Sequence, residues 1–354
     1  MGLVPTPTEL RARARDDLRM GLPVCLQADG ARILAIAVET LDADRLAALR
    51  AVGKPYVAVT ARRAQTLRAR AYDGDLARLE LPDDADLRWL NRVADPAADL
   101  SAPMLGPFTT LRDGTDPGLA RAALALAKQA RLLPAVAVVD VAQAPSGITC
   151  IDGLLPPEQA AYTEVVSARL PMALARHGRV RVFRPHDGSE EHYAIEVGTP
   201  RRSEPVLARL HSACFTGDML GSLKCDCGPQ LRAALAAMSA EGAGILLYLN
   251  QEGRGIGLAN KMRAYALQDQ GFDTVDANHR LGFEDDERDF RIGAALLQEM
   301  RFSSVRLMTN NPAKIEMMEA NGIKVVERVP LKVGETDENS AYLATKAARS
   351  GHML

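Results

Sequence analysis

This chain lacks several things, and each absence removes a class of function. No apolar run approaches the ~20 residues that a bilayer-spanning helix needs, so no membrane partner is expected. The opening stretch MGLVPTPTELRARARDD has no apolar centre and carries acids early, so it does not read as a secretory signal. A basic surplus is missing too. The formal net charge is -2, which argues against a nucleic-acid partner, because a phosphate backbone selects for cationic surfaces. Cysteine is rare, with five in 354 residues. Cys25 and Cys150 stand apart while the other three cluster, a pattern of metal ligands rather than of a disulfide scaffold. A reduced, cytoplasmic setting is therefore expected. No internal repeat or low-complexity tract stands out.

What remains is a soluble, globular α/β (mixed α+β) chain long enough for two domains. The first ~150 residues are rich in Ala, Arg, Leu and Asp and poor in aromatics. Helices are expected at Arg11–Met20, Leu41–Val52 and Gly118–Leu133, and strands at Pro23–Leu26 and Pro134–Asp140. The Pro- and Gly-containing stretch AQAPSGITCIDGLLPPEQ marks a boundary, which sets domains at 1–150 and 160–354. In the second domain Val180–Phe183, Tyr193–Val197, Val206–Leu210, Ile245–Leu249, Val305–Met308 and Ile323–Glu327 read as strands. Gln230–Ala240 and Leu258–Gln270 read as helices, and Asn311 followed by Pro312 starts another.

Four constellations carry chemistry. Cys214, Cys225 and Cys227 have the spacing C-x10-C-x-C. Three thiolates can hold zinc with an open fourth corner, the arrangement of a catalytic rather than a structural ion. The rival is a closed structural site with His211 as fourth ligand. The second constellation, Gln251-Glu-Gly-Arg-Gly-Ile-Gly257, joins a buried strand to a helix and lets a ligand approach the backbone. It lacks the GK[ST] ending of a Walker A loop, and an ordinary turn is its plainer reading. In the third, Phe283–Phe290, five acids surround Arg288. This is either an acidic helix start or a site for acid/base or metal-phosphate chemistry. The fourth, Thr309-Asn-Asn-Pro-Ala-Lys314, is a capped turn or an oxyanion site at a strand end. Together they point to a zinc-activated water and a phosphate-bearing substrate.

From about Val166 onward the chain resembles GTP cyclohydrolase II, the first committed enzyme of riboflavin synthesis. The resemblance rests on Ala208-Arg-Leu-His-Ser212, Phe215-Thr-Gly-Asp218, Lys224-Cys-Asp-Cys-Gly228, Gln251-Glu-Gly-Arg254, Arg263–Gly271, Asp286-Glu-Arg-Asp-Phe290, Thr309-Asn-Asn-Pro312 and Val326-Glu-Arg-Val-Pro330, in that order. It implies a mixed sheet flanked by helices and a homodimer. It also favours the open zinc site, with one ion per subunit on Cys214, Cys225 and Cys227, and magnesium on the triphosphate. Water would attack C8 of the guanine ring. The products would be formate, pyrophosphate and 2,5-diamino-6-(5-phospho-ribosylamino)pyrimidin-4-one. Arg209, Leu210, His211, Ser212, Ala213, Gln230, Glu252, Gly253, Arg254, Thr274, Thr309 and Lys314 match GTP-binding positions. Glu252 suits the guanine N1–H and amino group, and Arg254 and Lys314 suit phosphate. Asp286 matches a proton acceptor, Tyr265 a tyrosine near the ring chemistry, and Arg288 a nucleophile toward the α-phosphate. A guanidinium is a poor nucleophile, since its pKa exceeds ~12, so an electrostatic clamp is the other reading of Arg288.

The chain also departs from that family. Ala213 stands where many members carry Glu, and Asn250 where many carry Arg. A divergent member acting on another nucleotide or pyrimidine, and a non-catalytic nucleotide sensor, are the alternatives. The first half resembles, more faintly, a dihydroxybutanone phosphate synthase domain, on Gly118–Ala135. There Leu119 and Arg121 stand at that family's histidine and glutamate positions. Gln27-Ala-Asp-Gly-Ala-Arg32 replaces its acidic metal-binding run. A degenerate domain without synthase activity is expected.

Overall fold

Capping chemistry sets where the first helix begins. Apolar periodicity starts at Arg11, but Thr6 accepts from the Glu9 amide at 3.3 Å and the Glu9 carboxylate accepts from the Thr6 amide at 2.7 Å. This capping box, with Pro7 in the first turn, moves the start back to Pro7. The structure, a computed structural model, describes residues 3–102, 105–154 and 161–336. The expected boundary stretch runs into 155–160, and the expected second domain ends in 337–354, both outside the described residues.

The elements are, in chain order, α1 (Pro7–Arg19), β1 (Val24–Ala28), β2 (Ala31–Ala37), α2 (Ala43–Val52), β3 (Tyr56–Thr60), α3 (Ala61–Leu67), β4 (Leu76–Glu80), α4 (Leu87–Ala94), α5 (Gly118–Gln129), β5 (Ala135–Asp140) and β6 (Cys150–Asp152). Then come β7 (Tyr162–Arg169), β8 (Gly178–Pro185), β9 (His192–Gly198), β10 (Val206–Ser212), α6 (Cys227–Glu241), β11 (Ala243–Leu249), α7 (Leu258–Asp269), α8 (Thr274–Arg280), α9 (Arg291–Glu299), β12 (Ser304–Met308), α10 (Pro312–Ala320) and β13 (Lys324–Val329). They form a six-stranded sheet of order β4-β3-β5-β2-β1-β6 and a seven-stranded sheet of order β13-β12-β10-β11-β9-β8-β7. The chain is thus a mixed α/β protein with two sheets. Among the described residues no helix is long and apolar enough to cross a membrane.

By contacts the chain forms two units, Met1–Glu158 with Ala259–Glu287, and Gln159–Leu258 with Arg288–Leu354. Sequence reading counts residues 259–287 with the second domain, yet they pack with the first unit. The physical reason is a set of charged and polar ties. Arg263 donates to Glu39 at 2.9 Å and Asp95 at 3.1 Å. Thr60 donates to the Gly282 carbonyl at 2.8 Å, and Arg62 to Glu284 at 2.8 Å. Gly282 has φ +88° and a Cβ there would lie 2.8 Å from Pro134 Cγ. A side chain at this position would be both strained and crowded.

The seven-stranded sheet positions the chemistry. Its β13, β12, β10 and β11 run parallel, and β9, β8 and β7 continue it antiparallel. The central strands β10 and β11 are buried on both faces, as their near-continuous aliphatic runs require, while β13 is a largely exposed edge. On β10, Val206, Ala208 and Leu210 enter one core with Leu296, Leu297 and Phe302. Leu207 enters another core with Leu235 and Met238 of α6. The period-two alternation therefore places Arg209 and His211 on the α6 face.

Buried charge in the first unit is fully engaged. Arg63 is 1 % exposed. It donates to Asp99 at 2.5 and 3.0 Å, to the Val93 and Arg92 carbonyls at 2.8 Å, and to Thr66 at 3.1 Å. Replacing it with an apolar side chain leaves the Asp99 carboxylate with the longer contact to Arg280, at 3.4 Å. Arg63→Met is expected to cost about 3–5 kcal/mol of stability, measured by urea unfolding on the emission of Trp89, the single tryptophan, which lies in α4 of the same unit. A loss below about 1 kcal/mol would mean that water replaces the lost contacts.

Candidate active site

The backbone delivers three thiols to one point. Past the end of β10 the Ala213 amide still donates to the Leu249 carbonyl at 2.7 Å, which holds the chain against β11. Cys214 follows, and Phe215–Met219 form a π-helical turn that reverses the chain. Cys225 closes the loop and Cys227 opens α6. The three Sγ atoms lie within 4.8 Å of one another, with Cys214 and Cys225 3.7 Å apart. Three sulfurs at zinc's bond length, on a tetrahedron, stand about 3.8 Å apart. Hydrogen bonding with the Cys214 thiol raises the pKa of both Cys225 and Cys227, and burial adds to it. Three thiolates repel one another unless a cation sits among them, and a bound divalent ion reverses that balance. The donor set therefore fits a thiophilic ion such as zinc.

A glycine makes the convergence sterically feasible. The Gly217 amide donates to Cys214 Sγ at 3.3 Å. A Cβ on Gly217 would lie 2.6 Å from Cys225 Sγ and 3.1 Å from Cys214 Sγ. Gly228, one residue into α6, has its Cβ position blocked by the Gly217 carbonyl oxygen. The two glycines let the turn and the helix start touch.

Asp218 locks this loop to the sheet. Its carboxylate accepts from the Cys214 amide at 3.1 Å, Tyr248 Oη at 3.0 Å and His211 Nε2 at 3.0 Å. The His211 ring is 3 % exposed and stacks on Tyr248. Burial, with the nearby Arg209 cation, holds its pKa below the usual value, so it is neutral at pH 7 and donates to Asp218. Among the described residues the metal-capable group is the three cysteines, without His211. Sequence reasoning passed over Asp218, Tyr248 and Gly217 as site residues. The signal for the first was its place in Phe215-Thr-Gly-Asp218. Tyr248 carried none, because it looks like one more apolar residue of β11.

A second polar chain ties β10 to α6. Asp226 accepts from Gln230 Nε2 at 2.5 Å, and Gln230 Oε1 accepts from Arg209 Nη2. Arg209 Nε is buried with no hydrogen-bond partner among the described residues. Burial pulls the Arg209 pKa down to about 10, which leaves it cationic at neutral pH. Opposite, the loop after β11 is strained. Gly253 and Arg254 have φ of 62° and 60°, and Gly255 and Gly257 have φ of 96° and 88°. Arginine in the left-handed region costs energy that the neighbouring contacts must offset. Glu252 supplies two such contacts, accepting from the Phe215 amide at 2.5 Å and the Gly253 amide at 3.0 Å. It thereby joins the glycine loop to the residue after Cys214. Asn250, a departure from the expected pattern, donates its amide to the Glu191 carbonyl at 2.5 Å.

Cations gather beside the end of β10. The Arg288 guanidinium lies 4.9 Å and Lys314 Nζ 5.0 Å from the centre of the Phe290 ring. Lys314 donates to the Leu210 carbonyl at 2.9 Å, and Arg288 reaches Ser212 Oγ at 3.5 Å. Thr309 is 3 % exposed and exchanges hydrogen bonds with the Asn311 backbone at 3.0 and 3.2 Å. Asn311 caps α10 as expected, accepting from the Ala313 amide at 3.0 Å.

Three predicted residues belong to the other unit. Tyr265 lies on α7 with Lys261 Nζ 5.7 Å from its ring centre. Thr274 opens α8 and accepts from Gln268 at 3.0 Å. Asp286 lies in the acidic run, which is irregular backbone and not a helix start. Its neighbours are engaged, Asp285 with His279 at 2.7 Å and Glu287 with Lys128 at 2.6 Å.

Known proteins align with this arrangement. The profile of the family described as GTP cyclohydrolase II matches residues 163–330. A protein named GTP cyclohydrolase-2 from Azospirillum brasilense is 46 % identical over 97 % of this chain and 93 % of its own length. One of the same name from Azotobacter vinelandii is 52 % identical over 54 % of this chain and 91 % of its own. The riboflavin biosynthesis protein RibBA of Bacillus cereus is 55 % identical over 47 % of this chain and 42 % of its own.

The steric reading of Gly217 has a direct consequence. Gly217→Ala pushes a methyl group against two of the three thiols and is expected to weaken zinc binding by at least the 10- to 100-fold, roughly, that a lost supporting contact costs. Competition with a chromophoric chelator measures it, and unchanged affinity would show that the π-helical turn yields at no cost.

Proposed function

The chain belongs to the GTP cyclohydrolase II family, and we propose that it hydrolyses GTP to formate, pyrophosphate and the diaminopyrimidine ribosyl phosphate. The observation that carries this reading is the union, at the carboxyl end of β10, of a three-thiol centre with Arg288 and Lys314 over Phe290. One end of one strand thus serves both a ring opening and a phosphate release. Ligands in open α/β sheets bind at such strand ends, where loop amides and side chains are released from the ladder. Cys214, Cys225 and Cys227 would hold zinc, which would supply Lewis acidity for the addition of water at guanine C8.

The chain's own residues bind and orient. Arg209, with its Nε unpaired and its pKa still above neutrality, offers a donor to the nucleotide from the α6 face. Glu252, already fixed by two amides, retains acceptor capacity for the guanine N1–H and amino group. Arg254 and Lys314 take the phosphates, whose charge magnesium shares. The family resemblance assigns Asp286 the role of proton acceptor and gives Tyr265 and Thr274 roles in the same reaction. For Arg288 we favour the electrostatic role. A guanidinium that lies over an aromatic face and contacts a hydroxyl is placed to stabilise developing charge at phosphorus, and its lone pairs are delocalised.

The amino-terminal half is proposed to lack synthase chemistry. Leu119 lies in the core, 8 % exposed, with its Cδ2 2.5 Å from where a Cβ on Gly153 would be. Arg121 is paired with Asp75 at 2.7 Å. Asp29 and Gly30 form the two-residue turn between β1 and β2, with φ of 48° and 83°, where a metal-binding run would be needed.

Purified protein given GTP, zinc and magnesium is expected to release formate and pyrophosphate in equal amounts with the diaminopyrimidine. GTP bound without formate would establish a sensor instead. Arg288→Ala is expected to abolish pyrophosphate release, and mass spectrometry of the wild type under turnover should find no guanylyl adduct on Arg288. A trapped adduct would make Arg288 the nucleophile. Ribulose 5-phosphate should yield no dihydroxybutanone phosphate, and its formation would overturn the reading of the first half.

A further inference from the structure

Cys25 and Cys150 stand far apart in the chain, and the six-stranded sheet makes them neighbours. In the parallel pairing of β1 with β6 the register partners are Cys25 with Cys150, Leu26 with Ile151 and Gln27 with Asp152. Register partners on adjacent strands present their side chains to one face of the sheet. Leu26 and Ile151 enter a core with Leu119 and Ala123 of α5. Cys25 and Cys150 therefore turn to the opposite face, in a row with Leu34, the partner of Cys25 on β2. Cys25 is 0 % exposed, and Cys150 is half-buried. Both are free thiols, and their side chains are in hydrogen-bonding contact. Adjacent strands lie about 4.8 Å apart, which falls within the roughly 4.4–6.8 Å between Cα atoms that a disulfide accepts. The pair lies wholly within Met1–Glu158 of one unit and has no part in the cyclohydrolase reading.

The strand that carries Cys150 is weakly held. β6 has three residues and lies at the edge of its sheet. The Cys25 amide donates to the Thr149 carbonyl at 2.9 Å, and the Gly153 amide to the Gln27 carbonyl at 3.0 Å. Thr149 Oγ1 donates to Asp17 at 2.6 Å, and Arg11 to the Asp152 carbonyl at 3.3 Å. A short edge strand opens more readily than the strands inside a sheet. We propose that Cys25 and Cys150 are a reversible dithiol–disulfide pair, oxidised by a hydroperoxide, that locks β6 onto β1. The hydroperoxide reacts first at Cys150, the accessible thiol. Its sulfur takes one oxygen as the O–O bond breaks, water or an alcohol leaves, and a sulfenic acid remains. The Cys25 sulfur then attacks the sulfenic sulfur. The S–S bond forms, the S–O bond breaks, and the Cys25 proton departs with the hydroxide as water. Burial pushes the Cys25 thiol up to about 12, and the contact with Cys150 adds to it. Cys25 therefore stays protonated and inert toward peroxide until its partner is oxidised. A bridge at the short end of the permitted separation, on a sheet edge, is readily reduced. That suits a transient bond in the reduced setting expected from the cysteine pattern.

The test uses the full-length protein, supplied with zinc to occupy Cys214, Cys225 and Cys227. It is treated with hydrogen peroxide, alkylated in denaturant without reduction and digested with trypsin. Cleavage places Cys25 in peptide 20–32 and Cys150 in peptide 132–169, each with no other cysteine. Mass spectrometry should find these two peptides joined, two hydrogens lighter than their sum, and dithiothreitol should separate them. The cross-link closes a long loop, so the oxidised protein should melt at least about 2 °C above the reduced one, followed on Trp89 emission. In Cys25→Ala a sulfenic-acid trap should label Cys150, and in Cys150→Ser Cys25 should stay a thiol. Cys150 that passes to sulfinic acid in the wild type without joining Cys25, or that joins only another thiol, would overturn the pair. Joined peptides without a rise in melting temperature would overturn the lock. Neither result bears on the cyclohydrolase reading, which formate release tests separately.

Discussion

In a parallel sheet every strand ends on the same side, so the loops that follow neighbouring strands are forced together however distant they are in the chain. The pairing of β10 with β11 on one side and β12 on the other is the constraint from which this site follows. Ser212 lies opposite Leu249 and Ala208 opposite Leu307. The cysteine loop, the Glu252 loop and the Thr309 turn therefore leave the sheet side by side. Loss of that register would scatter all three at once.

Alternation along β10 then divides the labour. Leu210 and its even-numbered neighbours fill the core under α9, and their backbone still serves, as the Leu210 carbonyl holding Lys314 shows. Arg209 and His211 turn to the α6 face, where they cannot be solvated by water and must be paired. His211 finds Asp218 and Arg209 finds Gln230. Asp218 lies between Cys214 and Cys225, and Gln230 lies in the first turn of α6 just past Cys227, so satisfying two buried polar side chains also tethers the thiol loop to the sheet. Polar satisfaction and metal-site geometry are here one requirement.

The first unit shows how charged side chains can hold a segment that is distant in the chain. Core residues such as Leu119 and paired ones such as Arg121 make a stable platform, and its exposed acids and bases hold a segment that belongs in sequence to the other half. Ion pairs at partly buried positions suit this task, since each is weak alone but fixes direction as well as distance.

Much of this was legible in the sequence. Aliphatic runs marked β5, β10, β11 and β12, Asn311 and Pro312 marked the start of α10, and the spacing C-x10-C-x-C marked a metal site, because each of these is written by residues near one another in the chain. The run Phe283–Phe290 was ambiguous for the same reason, since its partners Arg62 and Lys128 stand more than 150 residues away. Composition, motif and spacing determined the thiol centre, the aliphatic frame and the family. Only the tertiary structure decided that Asp218 would bind Cys214, Tyr248 and His211 together, that Gly217 would be the one residue small enough to sit among the thiols, and that Ala259–Glu287 would pack with the amino-terminal half. Those outcomes depend on which distant side chains a buried polar group meets once the strands have paired, and no local pattern encodes that meeting.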